Sequence, residues 1–139
     1  MPPSEPACSE RSPGEGSPVL DRGRIRQGRL GVMGRGDILP VVQPGTYGKP
    51  RPALVIQSDF FDVHPSVTIL PITSKLRDTP LFRLRVDPTV QNGLLSVSEI
   101  MVDKITTLPR DKLREPFGHL EYEYMREVER LLTVWMGIG

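Results

Sequence analysis

A small, mainly β, strongly bent barrel closed by one C-terminal helix is the fold this sequence predicts. Three observations carry it: short apolar runs rich in β-branched residues, turn signals placed tightly between them, and one change to helical periodicity near the C-terminus. With 139 residues and 37% hydrophobic content, the chain has material for one modest core.

Residues 1 to 33 are rich in Pro, Ser, Gly and alternating charge, with too few apolar groups to offset the entropy of ordering, so a disordered leader is expected. Its loose basic run of Arg22, Arg24, Arg26 and Arg29 reads most simply as a solvated tail, and as a nucleic-acid contact only second. A misplaced start is a further reading, which native protein beginning at Met33 would support by mass spectrometry. The folded domain is expected to span 34 to 139.

Asp37 to Val42 reads as a first strand, with Pro40 at an edge or bulge. A turn-rich loop from Gln43 to Pro50 leads to a second strand, Arg51 to Gln57, apolar enough to be central. Ser58 to Phe61 starts a short helical turn, and Val67 to Ile72 is a third strand. Leu81 to Val86 alternates, placing Arg83 and Arg85 on one face and Phe82, Leu84 and Val86 on the other. Asn92-Gly93 signals a turn. One long strand then runs from Ser98 to Leu108, with Ile100, Val102 and Lys104 on one side and Met101, Asp103 and Ile105 on the other. From Glu121 to Met136, Met125, Val128, Leu132 and Trp135 recur at helical spacing, flanked by Tyr124 and Leu131, and Gly137 stops the helix.

Charge and composition exclude several classes. A net charge of +1, from 18 basic and 17 acidic residues, gives no whole-protein attraction to a polyanion. Its distribution says more: Arg35 to Arg114 holds 11 Lys/Arg against 8 Asp/Glu, whereas Glu115 to Arg130 holds 5 Glu and 2 Arg. The single cysteine, Cys8, allows no disulfide framework and fits a reducing cytoplasm. No apolar run reaches the roughly 20 residues that span a bilayer, and no signal peptide is apparent, so no membrane association is expected. Phosphate-loop, dinucleotide and paired-histidine metal patterns are all missing, so neither a cofactor nor a metal is expected. His64 and His119 read as surface histidines, and Trp135 and Met136 as core or interface residues.

Two strand ends carry the chemical interest. Arg51, between Pro50 and Pro52, projects a planar guanidinium from a stiff segment, which suits a phosphate clamp; a loop-capping ion pair is the competing reading. Thr73 and Ser74, followed by Lys75, end another strand after Pro71-Ile72; their hydroxyls either donate to the same phosphate or simply cap a turn. Asp103, among apolar neighbours in a strand, is a candidate base. Arg83 and Arg85 are either nucleic-acid contacts or an exposed strand face.

Taken in order, Arg35-Gly36-Asp37-Ile38, Arg51-Pro52-Ala53-Leu54-Val55-Ile56, Pro71-Ile72-Thr73-Ser74, Gly93-Leu94, Ser98-Glu99-Ile100-Met101-Val102-Asp103-Lys104 and the final helix resemble the MazF/PemK (Kid) toxins of bacterial toxin–antitoxin systems. The resemblance covers residues 34 to 139. It implies an SH3-like barrel of the CcdB/MazF/PemK type, a homodimer, and metal-independent cleavage of single-stranded mRNA at short sequences by 2′-OH attack, leaving 2′,3′-cyclic phosphate and 5′-OH ends. It also implies a cognate antitoxin and contact with operator DNA only as the toxin–antitoxin complex. By the resemblance Arg51 matches the catalytic arginine and Thr73 the catalytic threonine, with Ser74 beside it, and Asp103 matches the base of the PemK branch. Lys49, Gln57, Lys75, Arg83, Arg85 and Lys104 are the accompanying RNA-binding candidates. The sequence departs from the family at Met101, where the PemK branch has arginine, at Lys104, where many relatives have glutamine, and at Pro50, where some have histidine.

Two other functions compete. Trp135-Met136-Gly137-Ile138-Gly139 is similar to the Trp-Gly-Ile end of the gyrase poison CcdB, although Met136 interrupts it. A non-catalytic barrel that binds an antitoxin as corepressor is the other. Gyrase-dependent breaks with intact mRNA, or gel shifts that need the antitoxin, would mark these.

Overall fold

In a computed structural model the described residues are 33–42 and 49–139; the expectations for the leader before Met33 and for the loop at 43–48 lie outside them. Among the described residues seven strands and one α-helix follow in order: β1 (Asp37–Val41), β2 (Arg51–Val55), β3 (Ser66–Thr73), β4 (Arg83–Val86), β5 (Ser98–Met101), β6 (Thr106–Pro109), β7 (Gly118–His119) and α1 (Tyr122–Met136). Short 3₁₀ turns occupy Asp59–Phe61, Val102–Lys104 and Arg110–Lys112. The strands pair antiparallel in the order β4-β5-β3-β2-β1-β7, with β6 also on β3.

β3 is the hinge of this arrangement. Its first half pairs with β6, from Ser66↔Pro109 to Ile69↔Thr106, and its last residues pair with β5, Ile72↔Ile100 and Thr73↔Glu99. Pro71 has no N–H to donate, and it sits at the fork where β3 leaves one neighbour and has not met the next. On the other side of the sheet Pro40 faces Pro52. Two prolines can oppose each other only where neither strand needs a donor, the wide pair of an antiparallel ladder, so Pro40 is accommodated without a bulge.

Alternation sends side chains to two cores. Ile38, Leu54, Leu70, Ile72 and Ile100 pack with Val86, Val102 and the helix residues Val128 and Leu131 on one face. Leu39, Val41, Ala53, Val55, Val67 and Ile69 pack with Leu108 and Leu113 on the other, where Met33, expected as the last leader residue, is also buried. Full burial of Val128 and Leu131 stabilises helix docking by about 1.5–3 kcal/mol each. The helical stripe is thus centred on Val128 and Leu131, while Trp135 is half exposed, its ring 5.9 Å from that of Phe82.

Two elements differ from the sequence expectation. The long strand from Ser98 to Leu108 is broken by the 3₁₀ turn at Val102–Lys104, which lets β5 and β6 serve the two halves of β3 in different directions. Asp103 therefore lies in a turn and not in a strand. Gly118–His119 adds a short strand on β1 that its two residues could not announce. The Asn92-Gly93 turn lies within the longer connection from Asp87 to Val97. Buried Asn92 stitches that connection: its Oδ1 accepts the Thr89 and Leu94 N–H groups, and its Nδ2 donates to the Asp87 carbonyl and to Glu121 Oε1. A side chain at Gly118 would begin 2.0 Å from the Asn92 carbonyl oxygen, so that contact requires glycine.

Candidate active site

Arg51 opens β2 and Thr73 ends β3, and the pairing Ala53↔Pro71 sets where they fall. Continued two residues beyond that pair, the register puts Arg51 across from Thr73. Thr73 is itself paired to Glu99 of β5, and Glu99 to Arg85 of β4. Residues opposite one another share a face, so Arg51, Thr73, Glu99 and Arg85 form one cross-strand row on the face away from the helix. That face is apolar beside β1 and β6 and turns polar where β3 passes to β5.

A groove of about 930 Å³ opens over the near part of this row. Arg51, Thr73, Ser74, Lys75, Ser96 and Ser98 supply polar groups, while Pro50, Pro52, Leu95, Met101 and Phe117 supply apolar wall. No carboxylate or imidazole lines it among the described residues. The two strand ends singled out in the sequence therefore border one cavity with a net positive lining.

Local geometry prepares the donors. Thr73 Oγ1 accepts the Lys75 backbone N–H at 3.0 Å, a turn that leaves the hydroxyl proton free to donate outward. Ser74 and Lys75 are exposed on that turn, and Arg51 is exposed at its strand end. No hydrogen bond or ion pair engages the Arg51 guanidinium among the described residues, in contrast with the loop-capping reading. An arginine, an ammonium and two hydroxyls converging on a cavity without opposing carboxylates can hold the non-bridging oxygens of a phosphodiester.

The remaining sequence candidates lie elsewhere. Arg83 and Arg85 both turn to the carboxylate of Glu99, at 3.6 and 3.1 Å. Gln57 is committed to its own loop: Nε2 donates to the Phe61 and Ser66 carbonyls and Oε1 accepts the Thr68 N–H. Lys104 is exposed on the 3₁₀ turn and Lys49 just ahead of Pro50, neither of them in the groove lining. Asp103 is also outside that lining, two residues beyond Met101, and its Oδ1 is buried without a hydrogen-bond partner among the described residues. His119 Nδ1 meets Asp37 Oδ1 at 3.0 Å on β7, and His64 Nδ1 accepts the Ser66 N–H, so both histidines serve the fold.

Several residues at the site escaped the sequence reading, Phe117 and Glu99 among them. Phe117 had no pattern around it; only the meeting of its ring with Gly93 places it in the groove wall. Glu99 did carry a signal, a carboxylate within an apolar run, the same signal that singled out Asp103. It is 2% exposed and accepts the Arg77 and Asp78 backbone N–H groups at 3.0 and 3.1 Å. Burial pushes its carboxyl up, but those amides and the Arg85 guanidinium outweigh burial and hold it below the usual carboxylate range.

Comparison with known proteins bears on this geometry. Residues 35–136 match the family model described as PemK-like, MazF-like toxin of type II toxin–antitoxin system. The chain is 47% identical over 108 residues to a protein of Mycolicibacterium smegmatis named probable endoribonuclease MazF, covering 77% of this chain and 99% of that one. Among solved structures it is similar to Mycobacterium tuberculosis toxin MazF-mt6, with a TM-score of 0.64 at 23% identity over 74% of this chain and 98% of that chain. It is likewise similar to a MazE-MazF crystal structure from Deinococcus radiodurans, with a TM-score of 0.65 at 23% identity over 78% and 99% of the two chains. A mycobacterial endoribonuclease in complex with its cognate antitoxin gives a TM-score of 0.65 at 20% identity over 77% and 97%. At these identities the structural likenesses establish the fold, mainly β with one C-terminal helix.

Proposed function

Since the chain belongs to the PemK-like, MazF-like toxins of type II toxin–antitoxin systems and is an endoribonuclease of that family, we propose that it cleaves single-stranded mRNA in the groove between Arg51 and Thr73. The observation that carries this reading is the convergence of Arg51, Thr73, Ser74 and Lys75 on one cavity that no carboxylate lines among the described residues.

The 2′-oxygen of one nucleotide attacks the adjacent phosphorus, the bond from phosphorus to the 5′-oxygen of the next nucleotide breaks, and the products are a 2′,3′-cyclic phosphate and a 5′-OH. The 2′-OH proton leaves to a base, and the departing 5′-oxygen takes up a proton. Charge on the phosphorane oxygens rises in the transition state, and Arg51 and Lys75 with the Thr73 and Ser74 hydroxyls neutralise it there. Arg51 is a poor acid and acts mainly through its fixed charge and paired N–H groups. Asp103 is the base candidate; it stands outside the groove lining, on the turn that follows Met101, so this role requires the bound RNA to extend past Met101. The apolar walls of Phe117, Leu95 and the prolines receive unstacked bases.

The protein acts in the cytoplasm as a homodimer, and an antitoxin segment that folds on binding covers the groove and silences it. Operator DNA is contacted by the toxin–antitoxin complex. Among the described residues no helix is long and apolar enough to cross a membrane. Expression of the protein should arrest growth with loss of mRNA, and Arg51→Ala should abolish both effects. Full toxicity of Arg51→Ala would remove the groove from the mechanism, and gyrase-dependent DNA breaks with intact mRNA would put the CcdB-like reading in its place.

A further inference from the structure

Among the described residues Glu99 is the one carboxylate beside the site that is almost fully buried, at 2% exposure, and the cleavage chemistry gives it no role. Its backbone pairs with Thr73 across the β3–β5 ladder. Its side chain reaches the other end of the same segment, taking the Arg77 N–H on Oε1 at 3.0 Å and the Asp78 N–H on Oε2 at 3.1 Å. Between those anchors lie Ser74 and Lys75, both groove-lining. We propose that Glu99 is a positioning residue of this active site, its carboxylate holding the Thr73–Asp78 segment as a closed turn so that Ser74 and Lys75 face the phosphate.

Three features fit that role better than simple core filling. Asp78 adopts a φ of 59°, a left-handed conformation that costs a non-glycine residue free energy and persists only where neighbours hold it. Its N–H and that of Arg77 go to an ionised oxygen, and charge-assisted bonds of that kind are about twice as strong as neutral ones. Arg85 at 3.1 Å and Arg83 at 3.6 Å balance the buried charge, so two cations of the β4 face are spent on Glu99. A displacement of roughly 1 Å in a charge-stabilising group is enough to cost about 100-fold in rate, which is what release of this turn permits. The inference rests on the proposed cleavage reaction, through the roles of Ser74 and Lys75.

The test compares wild type, Glu99→Gln and Arg85→Ala, each checked for folding by thermal unfolding. Glu99→Gln keeps the volume and loses the charge; Arg85→Ala keeps both amide bonds and removes one balancing cation. Steady-state cleavage of a defined RNA gives kcat and KM, and hydrogen exchange reads the Arg77 and Asp78 amides. Glu99→Gln is expected to speed exchange at those two amides and to lower kcat about 10- to 100-fold with KM nearly unchanged. The loss should shrink toward nothing in a Ser74→Ala, Lys75→Ala background, because a misplaced turn cannot misplace groups already removed. Arg85→Ala should show a smaller fall in kcat, again at constant KM.

A wild-type kcat in Glu99→Gln, with the amides released, overturns the inference. So does a kcat loss that persists in full without Ser74 and Lys75, and so does a rise in KM for Arg85→Ala, which would make that arginine an RNA contact. If Glu99→Gln does not fold, Arg85→Ala decides by the same KM and kcat split. Wild-type protein that leaves RNA intact refutes the cleavage reading instead, and the amide exchange then still reports whether Glu99 holds the turn.

Discussion

Arg51→Ala separates catalysis from folding more cleanly than any other change. The guanidinium is exposed at the first position of β2 and, among the described residues, makes no hydrogen bond or ion pair, so truncation leaves no buried group unpaired. Stability should therefore stay within about 0.5 kcal/mol of wild type, as for surface changes away from caps and networks. The catalytic effect is expected to be much larger. Removing one preorganised donor aimed at developing oxyanion charge typically costs about 100- to 1,000-fold in kcat, roughly 2.7–4 kcal/mol. Arg51 supplies a full charge and two donors, which places it at the upper end. The assay is single-turnover cleavage of a short single-stranded RNA beside urea unfolding of the same preparation. A variant that unfolds at lower urea in proportion to its lost activity, or one that cleaves at the wild-type rate, would refute the reasoning.

Asn92→Ala should destabilise the fold by roughly 3–4 kcal/mol, since four hydrogen bonds of about 1 kcal/mol each disappear around a fully buried side chain; the urea midpoint measures it. Acid should destabilise the protein through Glu99 and Glu121. Burial raises both carboxyls, but hydrogen bonds from the Arg77 and Asp78 amides and Arg85 on one, and from Thr89 and Asn92 on the other, bring both below the usual range. A depressed folded value means the contribution is complete above the unfolded value of about 4.3 and is lost as pH falls through the folded one. Melting temperature should hold near neutrality and fall below about pH 4, and the fall should be shallower in Glu99→Gln. Asp103→Asn should lower kcat at least about 100-fold if Asp103 takes the 2′-OH proton, whereas a wild-type kcat assigns the base elsewhere.

Strand identities were legible because β1 to β3 are short apolar runs bounded by turn signals and β4 alternates, and the helix because its apolar stripe has the right period. The approach of Arg51 to Thr73 was written only as two strand ends; register made them neighbours, and register depends on how Pro71 divides β3 between β5 and β6. The break at Val102–Lys104 was hidden because no glycine or proline marks it between Ser98 and Leu108, while the sheet requires a turn there to change direction. Arg83 and Arg85 were correctly placed on one face. Their partner was missed because cross-strand pairing with Glu99 is a non-local fact. Phe117 entered the groove through contact with Gly93, a position that local pattern does not encode.

The central claim is that Arg51 and Thr73 frame one phosphate site for attack by the substrate's own 2′-OH. The most direct measurement is the chemistry of the ends made by purified protein on a long RNA, with a second RNA carrying a single 2′-deoxy nucleotide at the mapped cut. The account predicts 2′,3′-cyclic phosphate and 5′-OH ends on the first RNA and no cut at the deoxy position of the second. A 5′-phosphate end, or undiminished cleavage at the 2′-deoxy position, would contradict it.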